Sequence, residues 1–394
     1  MLKNRLCFPD GHIIISMESK IIKTANHNMS RYDKIIQRFS DRLTRLEKET
    51  RAKEFTESEI TRQRDVSAFS PGLTEYEYLQ AQELKGELIE KYQDLTLNKV
   101  IPGEKITNVY GSFYYIFEEI NEKCCKSEKE NFEETIYTFF SLLPGIRDHR
   151  ENQLKKAGYK SIEDLISHPR WNKEAEYFLQ AVSRKDNSRL NEILCRRLPK
   201  SHPLILSLSS LHPWEDFLFL DIETLGLFGG NLVILIGVAR LEKGEKINLH
   251  QFLALEVKDE IALLKAFSEY LLKSKSIVSF NGKAFDVPFL EGRMRYYGIN
   301  QDFDKTHFDL LHFSRRAWKE KLPDCRLDTI EREILKERRE IDLPSSLVPE
   351  FYSDYLRIKN YGLLKPIVEH NRQDVLTLVR IFSHLHRNAS VCQL

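Results

Sequence analysis

No stretch of this sequence holds an apolar run approaching the ~20 residues of a membrane span, so no membrane role is expected. Cysteine is sparse. The six present (Cys7, Cys124, Cys125, Cys195, Cys325, Cys392) are scattered, and the only close pair is adjacent. That pattern fits neither a CxxC zinc knuckle nor a disulfide framework, and it points to reduced thiols in a cytoplasmic protein. Neither sign of charge dominates: 60 Lys and Arg against 59 Asp and Glu leave a net charge of +1. Any surface for nucleic acid must therefore be a local patch. The first residues carry positive charge before a short apolar patch at 13–15, too brief for a signal-peptide core. Met17 or Met29 would serve equally as a start. What the sequence does have is length: 394 residues suggest two or three domains with at least one sizeable core.

The chain is organised around Phe217–Thr224, FLFLDIET. Its apolar residues do not alternate strictly, as expected of a central strand covered on both faces. Side chains alternate along a strand, so Asp221 and Glu223 share a face. Two neighbouring carboxylates on an apolar strand repel and lose hydration unless something positive stands between them. Magnesium or manganese suits oxygen ligands of this kind. Taken alone, D-x-E equally describes two acids that begin a solvated loop.

Four regions are expected: a helical amino-terminal region with a small β-hairpin (1–130), a helical module (131–200), a linker (201–215) and an α/β domain (216–394). Within the first, 29–53 reads as a helix with one apolar stripe (Ile36, Phe39, Leu43, Leu46), a pattern of ordinary packing or of self-association. A break comes at 67–72, then a second helix over 74–92. VYGSFYYIF, in 98–120, reads as a hairpin whose aromatics pack rather than stack on bases. From 139 to 171, a Pro-Gly turn, a helix containing Leu154 and a Ser161-x-x-Asp164 cap opening a third helix outline short helices joined by glycine turns. Residues 141–200 carry a basic excess of about five, including Arg147, Arg150, Lys155, Lys156 and Lys160. This stretch resembles the helix-hairpin-helix class of nucleic-acid-binding modules, with one departure: the second glycine of the class's Gly-x-Gly turn is Arg147 here. A plain helical bundle is the other reading.

Beyond Thr224, VILIGVARL and INLHQFLAL come after tight turns at 229–231 and 243–245, which makes an antiparallel meander with the first strand. A helix is expected over 258–273 and a short strand over 277–280. Asp286 then opens a helix just past a strand end, and 366–386 is helical, with His370 and Asp374 four apart on one face. Asp309 reads as structural or substrate-facing. The cluster Arg315, Arg316, Lys319, Lys321 and Arg326 reads as a phosphate contact or a solvated helix face.

FLDIET, SFNGKAFDVPFL, CRLDTIERE with IDLPSSLVPEFYSDYL, and EHNRQDVLTL together resemble the DEDD exonucleases of the ribonuclease H-like fold, and among them the YprB-like group of predicted exonucleases. The resemblance spans 217–385. It implies an α/β ribonuclease H-like domain with a mixed five-stranded sheet flanked by helices. It also implies a metal-dependent 3′ to 5′ exonuclease acting on DNA or RNA, with two divalent cations, Mg2+ or Mn2+, held by Asp221, Glu223, Asp286 and Asp374. Asp221 would bridge the ions, Glu223 and Asp374 would serve the water-activating one, and Asp286 would act through coordinated water. In the family's histidine subfamily the general base lies five residues before the last aspartate, and in its tyrosine subfamily a tyrosine lies four before. This chain puts His370 at the tyrosine spacing. An imidazole with a pKa near neutrality suits the base role; a histidine that only hydrogen-bonds a phosphate is the alternative. Thr224, Asn281, Lys283 and Phe285 lie beside the motif acids and are expected to hold the terminal nucleotide. A structure-selective endonuclease on the same fold, or a binding protein with a degenerate site, are the competing functions, and the oligomeric state is open.

Overall fold

The structure, a computed structural model, describes residues 73–126, 129–226, 231–339 and 343–389. All of these fall within one compact unit, Val66–Leu394. The helix expected over 29–53, the break at 67–72 and the glycines of the 229–231 turn lie outside the described residues, as do Cys7 and Cys392. Among the described residues no helix is long and apolar enough to cross a membrane.

Seven strands form one sheet in the order β1-β2-β5-β4-β3-β6-β7. These are β1 (Glu104–Asn108), β2 (Gly111–Asn121), β3 (Phe217–Thr224), β4 (Val233–Glu242), β5 (Lys246–Leu253), β6 (Ser276–Ser279) and β7 (Thr306–Asp309). The expected meander is β3–β4–β5, all antiparallel, while β6 and β7 add on in parallel to β3. Among the described residues, 216–394 contribute five of these strands, β3–β7, and the amino-terminal hairpin extends the sheet to seven with β1 and β2. The amino-terminal hairpin does not stand apart: β2 pairs antiparallel with β5 from Tyr114↔Leu253 to Asn121↔Lys246. An unpaired edge at β5 would leave a row of backbone donors and acceptors without partners, and β2 covers it. Its Phe113, Tyr114 and Tyr115 are buried in the process, as the packing reading expected.

Helices of nine residues or more are α1 (Glu75–Lys91), α2 (Lys129–Thr138), α3 (Asp148–Lys156), α4 (Asn172–Ser183), α5 (Asn187–Arg197), α6 (Glu260–Lys273), α7 (Asp286–Tyr296), α8 (Leu310–Trp318), α9 (Val348–Ile358) and α10 (Lys365–Ala389). The longest, α10, lies across β3 and β4. Phe382 of α10 meets Phe217 and Phe219 of β3 at ring separations of 5.4 and 5.6 Å. Phe217 and Phe219 share their strand face with Asp221 and Glu223. Eight residues earlier on α10, about 12 Å back along its axis, Asp374 comes level with those two acids. One apolar seam therefore fixes which side of the sheet the carboxylates meet on.

The stretch 201–215, expected as a linker, runs as short helical turns whose Leu204, Ile205, Leu206 and Leu208 are buried in the core. Its apolar content is core rather than tether. In the helical module the Pro144-Gly145 turn and α3 form as expected. The Asp164 carboxylate accepts the Lys160 and Ser161 backbone N–H groups at 2.6 and 2.9 Å. The third helix expected after this cap is only a 3-10 turn, Glu163–Ser167. His168 precedes Pro169 and is held extended (φ −74°, ψ 130°), because proline disfavours a helical residue before it.

Candidate active site

Asp221 and Glu223 sit near the end of β3, opposite Gly237 and Leu235 of β4. The register shifts between Glu223 and Thr224, an irregularity beside the acids, and pairing resumes at Thr224↔Val233. Asp286 enters from the neighbouring parallel strand: β6 ends at Ser279, the chain turns through Asn281 in the left-handed region (φ +65°), and Asp286 opens α7. Gly282 allows the turn to close tightly, since a Cβ there would lie 2.8 Å from Asp286 Oδ2. The Asp286 carboxylate accepts the backbone N–H of Ile222, which holds it beside the strand segment that carries Asp221 and Glu223. From above, α10 supplies His370, Asn371 and Asp374.

The electrostatics record the convergence. Burial pushes the Asp221 carboxyl well above the usual range, and Asp374, Asp286 and Glu223 push it further, against a hydrogen bond from Asn371. Glu223 is raised by burial and then by Asp374 and Asp286, with Arg339 opposing. Burial raises Asp286 to about 7, although its own backbone N–H and that of Ile222 oppose the shift. Four acids from three segments thus crowd one pocket, and three of them resist ionising there. All are hard oxygen donors, the set that Mg2+ or Mn2+ prefers. Among the described residues, though, no trio of His, Cys, Asp or Glu side chains is arranged to hold a metal ion as it stands.

An arginine also stands among these side chains. Arg339 donates through Nη2 to Asp374 Oδ1, through Nη1 to His370 Nδ1 at 3.0 Å, and through Nε and Nη2 to Glu331 at 2.7 Å each. Burial works against its charge, but Asp374 and Glu331 outweigh it and hold the guanidinium more firmly protonated than an exposed arginine. Because a guanidinium can only donate, His370 Nδ1 must accept, and the proton of the neutral ring lies on Nε2. That nitrogen faces Ser345 Oγ at 3.0 Å, Asp374 Oδ2 at 3.5 Å and Glu223 Oε1 at 3.9 Å. In this arrangement the imidazole presents a donor to the acids; the base role expected of it needs a proton shift to Nδ1, where Arg339 now sits.

Asn371 donates through Nδ2 to Asp221 Oδ2 at 2.8 Å, and its Oδ1 accepts from Gln251 at 2.9 Å. A Cβ on Gly237 would drive into this amide. Asp309 accepts the backbone N–H groups of Asn281 and Lys283 at 2.8 and 3.3 Å and that of Leu311 at 3.2 Å. It organises the loop ahead of Asp286, the structural role that the sequence suggested. Of the four residues expected to hold a nucleotide, Thr224 spends its hydroxyl on the Gly226 carbonyl at 2.9 Å, and Lys283 donates to the His307 carbonyl at 3.2 Å. The Phe285 ring packs on Phe289 at 5.5 Å. Asn281 enters through its backbone. Sequence reasoning missed Arg339, Glu331 and Ser345. The signal available was a charge argument: four acids need a counter-charge, and the run KERR at 336–339 comes soon after the buried Glu331.

The RNase_H superfamily model matches residues 218–386. The chain is 36% identical over 179 residues to "Uncharacterized protein YprB" of Bacillus subtilis (strain 168), an alignment covering 44% of this chain and 42% of that protein. The chain thus matches less than half the length of that relative. Among solved structures it is similar to the family B DNA polymerase from the hyperthermophilic archaeon Pyrobaculum calidifontis, at 17% identity and a TM-score of 0.36, covering 43% of this chain and 24% of that one. A superposition that loose carries no conclusion. The family match falls on the segment that brings β3, the Asp286 loop and α10 together, and in that segment the chain is similar to the RNase_H superfamily.

Proposed function

We propose that this chain hydrolyses nucleic-acid phosphodiester bonds at the pocket of Asp221, Glu223, Asp286 and Asp374, releasing nucleotides from a 3′ end. One observation carries the reading: Asp286 accepts the Ile222 N–H between Asp221 and Glu223, and Asp374 presses on both of those acids from α10. Acids that resist ionising together gain most from a divalent cation, and these four side chains would hold two such ions. When bound, Mg2+ or Mn2+ supplies an activated water and stabilises the departing oxygen.

The chain's own residues do the rest. Asn371 orients Asp221. His370 holds its Nε2 proton toward Asp374 and Glu223 until Arg339 withdraws, after which the ring can turn to general-base work. Lys283 is crowded by neighbouring protein, and Lys200 adds repulsion that helps lower its pKa. The carboxy-terminal end of α5 at Cys195, with Lys200 beyond it, therefore lies near Lys283 in the loop that leads to Asp286. The helical module would hold the strand along this basic flank, its phosphate contacts weakening steeply with salt.

The test uses end-labelled single-stranded DNA and RNA with Mn2+. Mononucleotides released from the 3′ end, and lost in Asp221→Asn, are expected. Internal cuts would show an endonuclease instead. Binding without any product would show a non-catalytic protein, and full activity in Asp221→Asn would remove the site from consideration.

A further inference from the structure

The position of Arg339 is built into the fold, independently of the acid it touches. The chain before it makes a π-helical turn, Glu331–Leu335, and then reverses through Lys336 in the left-handed region (φ +60°). Single π turns and non-glycine residues at positive φ carry a cost, and they persist where the surroundings enforce them. Here the enforcement is visible. Glu337 N–H returns to the Glu331 carbonyl at 3.0 Å, and Arg380 of α10 grips Glu337 at 2.6 Å.

Glu331 is the anchor. Its side chain is 3% exposed and meets the guanidinium of Arg339 through both oxygens, while the buried Thr377 donates to it at 2.6 Å. A buried carboxylate held from two sides fixes a planar guanidinium in one orientation. From that orientation Arg339 reaches Asp374 and His370 together.

While Arg339 donates to Asp374 Oδ1, its charge stands at the carboxylate that a divalent cation would use, and two positive centres at one carboxylate repel. We propose that Arg339 is an internal counter-cation that closes the Asp374–His370 end of the acid pocket, and that it must give up Asp374 before a divalent ion is held there, Glu331 keeping it tethered alongside. This rests on the nuclease reading of the same pocket and adds to it a positioning residue that governs when the pocket is open. Withdrawal also removes the Arg339 bond from His370 Nδ1, so a single movement alters one ligand and one ring nitrogen.

Mn2+ titration by calorimetry of the full chain tests this without reference to turnover, alongside melting curves in EDTA and in Mn2+. Arg339→Ala should bind Mn2+ about tenfold more tightly than wild type, the scale at which groups behind a metal ligand act. Its melting temperature in EDTA should fall, and the gap between its EDTA and Mn2+ curves should widen. Arg339→Lys, which keeps the charge but loses the fork, should fall between. Should Arg339→Ala fail to fold, Glu331→Gln, which loosens the tether, should shift Mn2+ affinity in the same direction. Affinity unchanged or weakened in these variants, with wild-type binding intact and abolished by Asp221→Asn, would overturn the counter-cation while leaving the nuclease site standing. No Mn2+ binding by wild type or by any variant would overturn both.

Discussion

At Asn371 a single amide sets the direction of the Asp221 carboxylate. Its Nδ2 holds Asp221 Oδ2 at 2.8 Å while Gln251 holds its oxygen, so the amide cannot rotate without breaking one bond or the other. The space it fills is open only because position 237 is glycine. Gly237→Ala therefore displaces Asn371 without touching any acid. We expect it, like Asn371→Ala, to weaken Mn2+ binding and turnover by about 10- to 100-fold, the range seen when the support behind a metal ligand is removed. Metal titration and single-turnover assays at saturating Mn2+ check this, with circular dichroism to confirm folding. The acids themselves were readable from the sequence, because the periods of strand and helix fix which way Asp221, Glu223 and Asp374 point. Asn371 was readable only as a polar residue beside His370, since its importance comes from Gly237 and Gln251 on other strands. Arg339 was readable only as one basic residue of the KERR run after Glu331, since nothing local distinguishes it from its neighbour Arg338.

Among the elements, α6 and α7 are joined by a buried ion pair that holds the helix opened by Asp286. Arg293 and Glu260 are 2% and 1% exposed. Arg293 Nε and Nη2 meet Glu260 at 2.8 and 2.5 Å, and Tyr297 Oη and the Val233 N–H complete the carboxylate at 2.7 and 2.9 Å. Arg293→Met strands Glu260 as an uncompensated buried charge and should cost about 3–5 kcal/mol. Urea unfolding would show this as a lower midpoint with an unchanged slope. Adding Glu260→Gln should recover part of the loss, because the stranded charge and not the missing arginine is the larger penalty. Elements carrying their own local signals were legible. α1 begins at Thr74, whose hydroxyl and the Glu77 carboxylate cap each other as a capping box, and α6 and α10 follow their apolar periods closely. The joining of β2 to β5 was not legible, because it is set by an edge that exists only once the meander has formed.

At the scale of the whole molecule, the amino-terminal hairpin and α10 act as a clamp on the site. Glu118 of β2 takes Arg372 in two bonds of 2.6 and 2.7 Å, and Glu122, just past the strand, takes Arg380 at 2.9 to 3.2 Å. These pairs are partly exposed and contribute about 1 kcal/mol or less each; their larger effect is on the register of the helix that carries His370 and Asp374. The core beneath is sensitive to acid. His212 is buried between Phe217 and Phe308, and its Nδ1 shares a hydrogen bond of 3.0 Å with Ser276 Oγ. Burial lowers its pKa to about 4, with Asp216 opposing and Lys126 and Lys275 assisting. His307 and His386 are lowered to about 3, again by burial first. A base whose folded pKa is depressed binds its proton more readily when unfolded, so its stabilising contribution is complete above pH 6.5 and is lost as pH falls toward the folded value. Asp286, raised to about 7, acts in the opposite direction in metal-free protein, so the total slope mixes the two. The difference between wild type and His212→Asn isolates one of them. Relative to the variant, wild type should lose up to about 3 kcal/mol between pH 6.5 and 4. Paired melting curves across that range, in EDTA, should show the two proteins diverging as pH falls, and parallel curves would remove His212 as a source of acid lability.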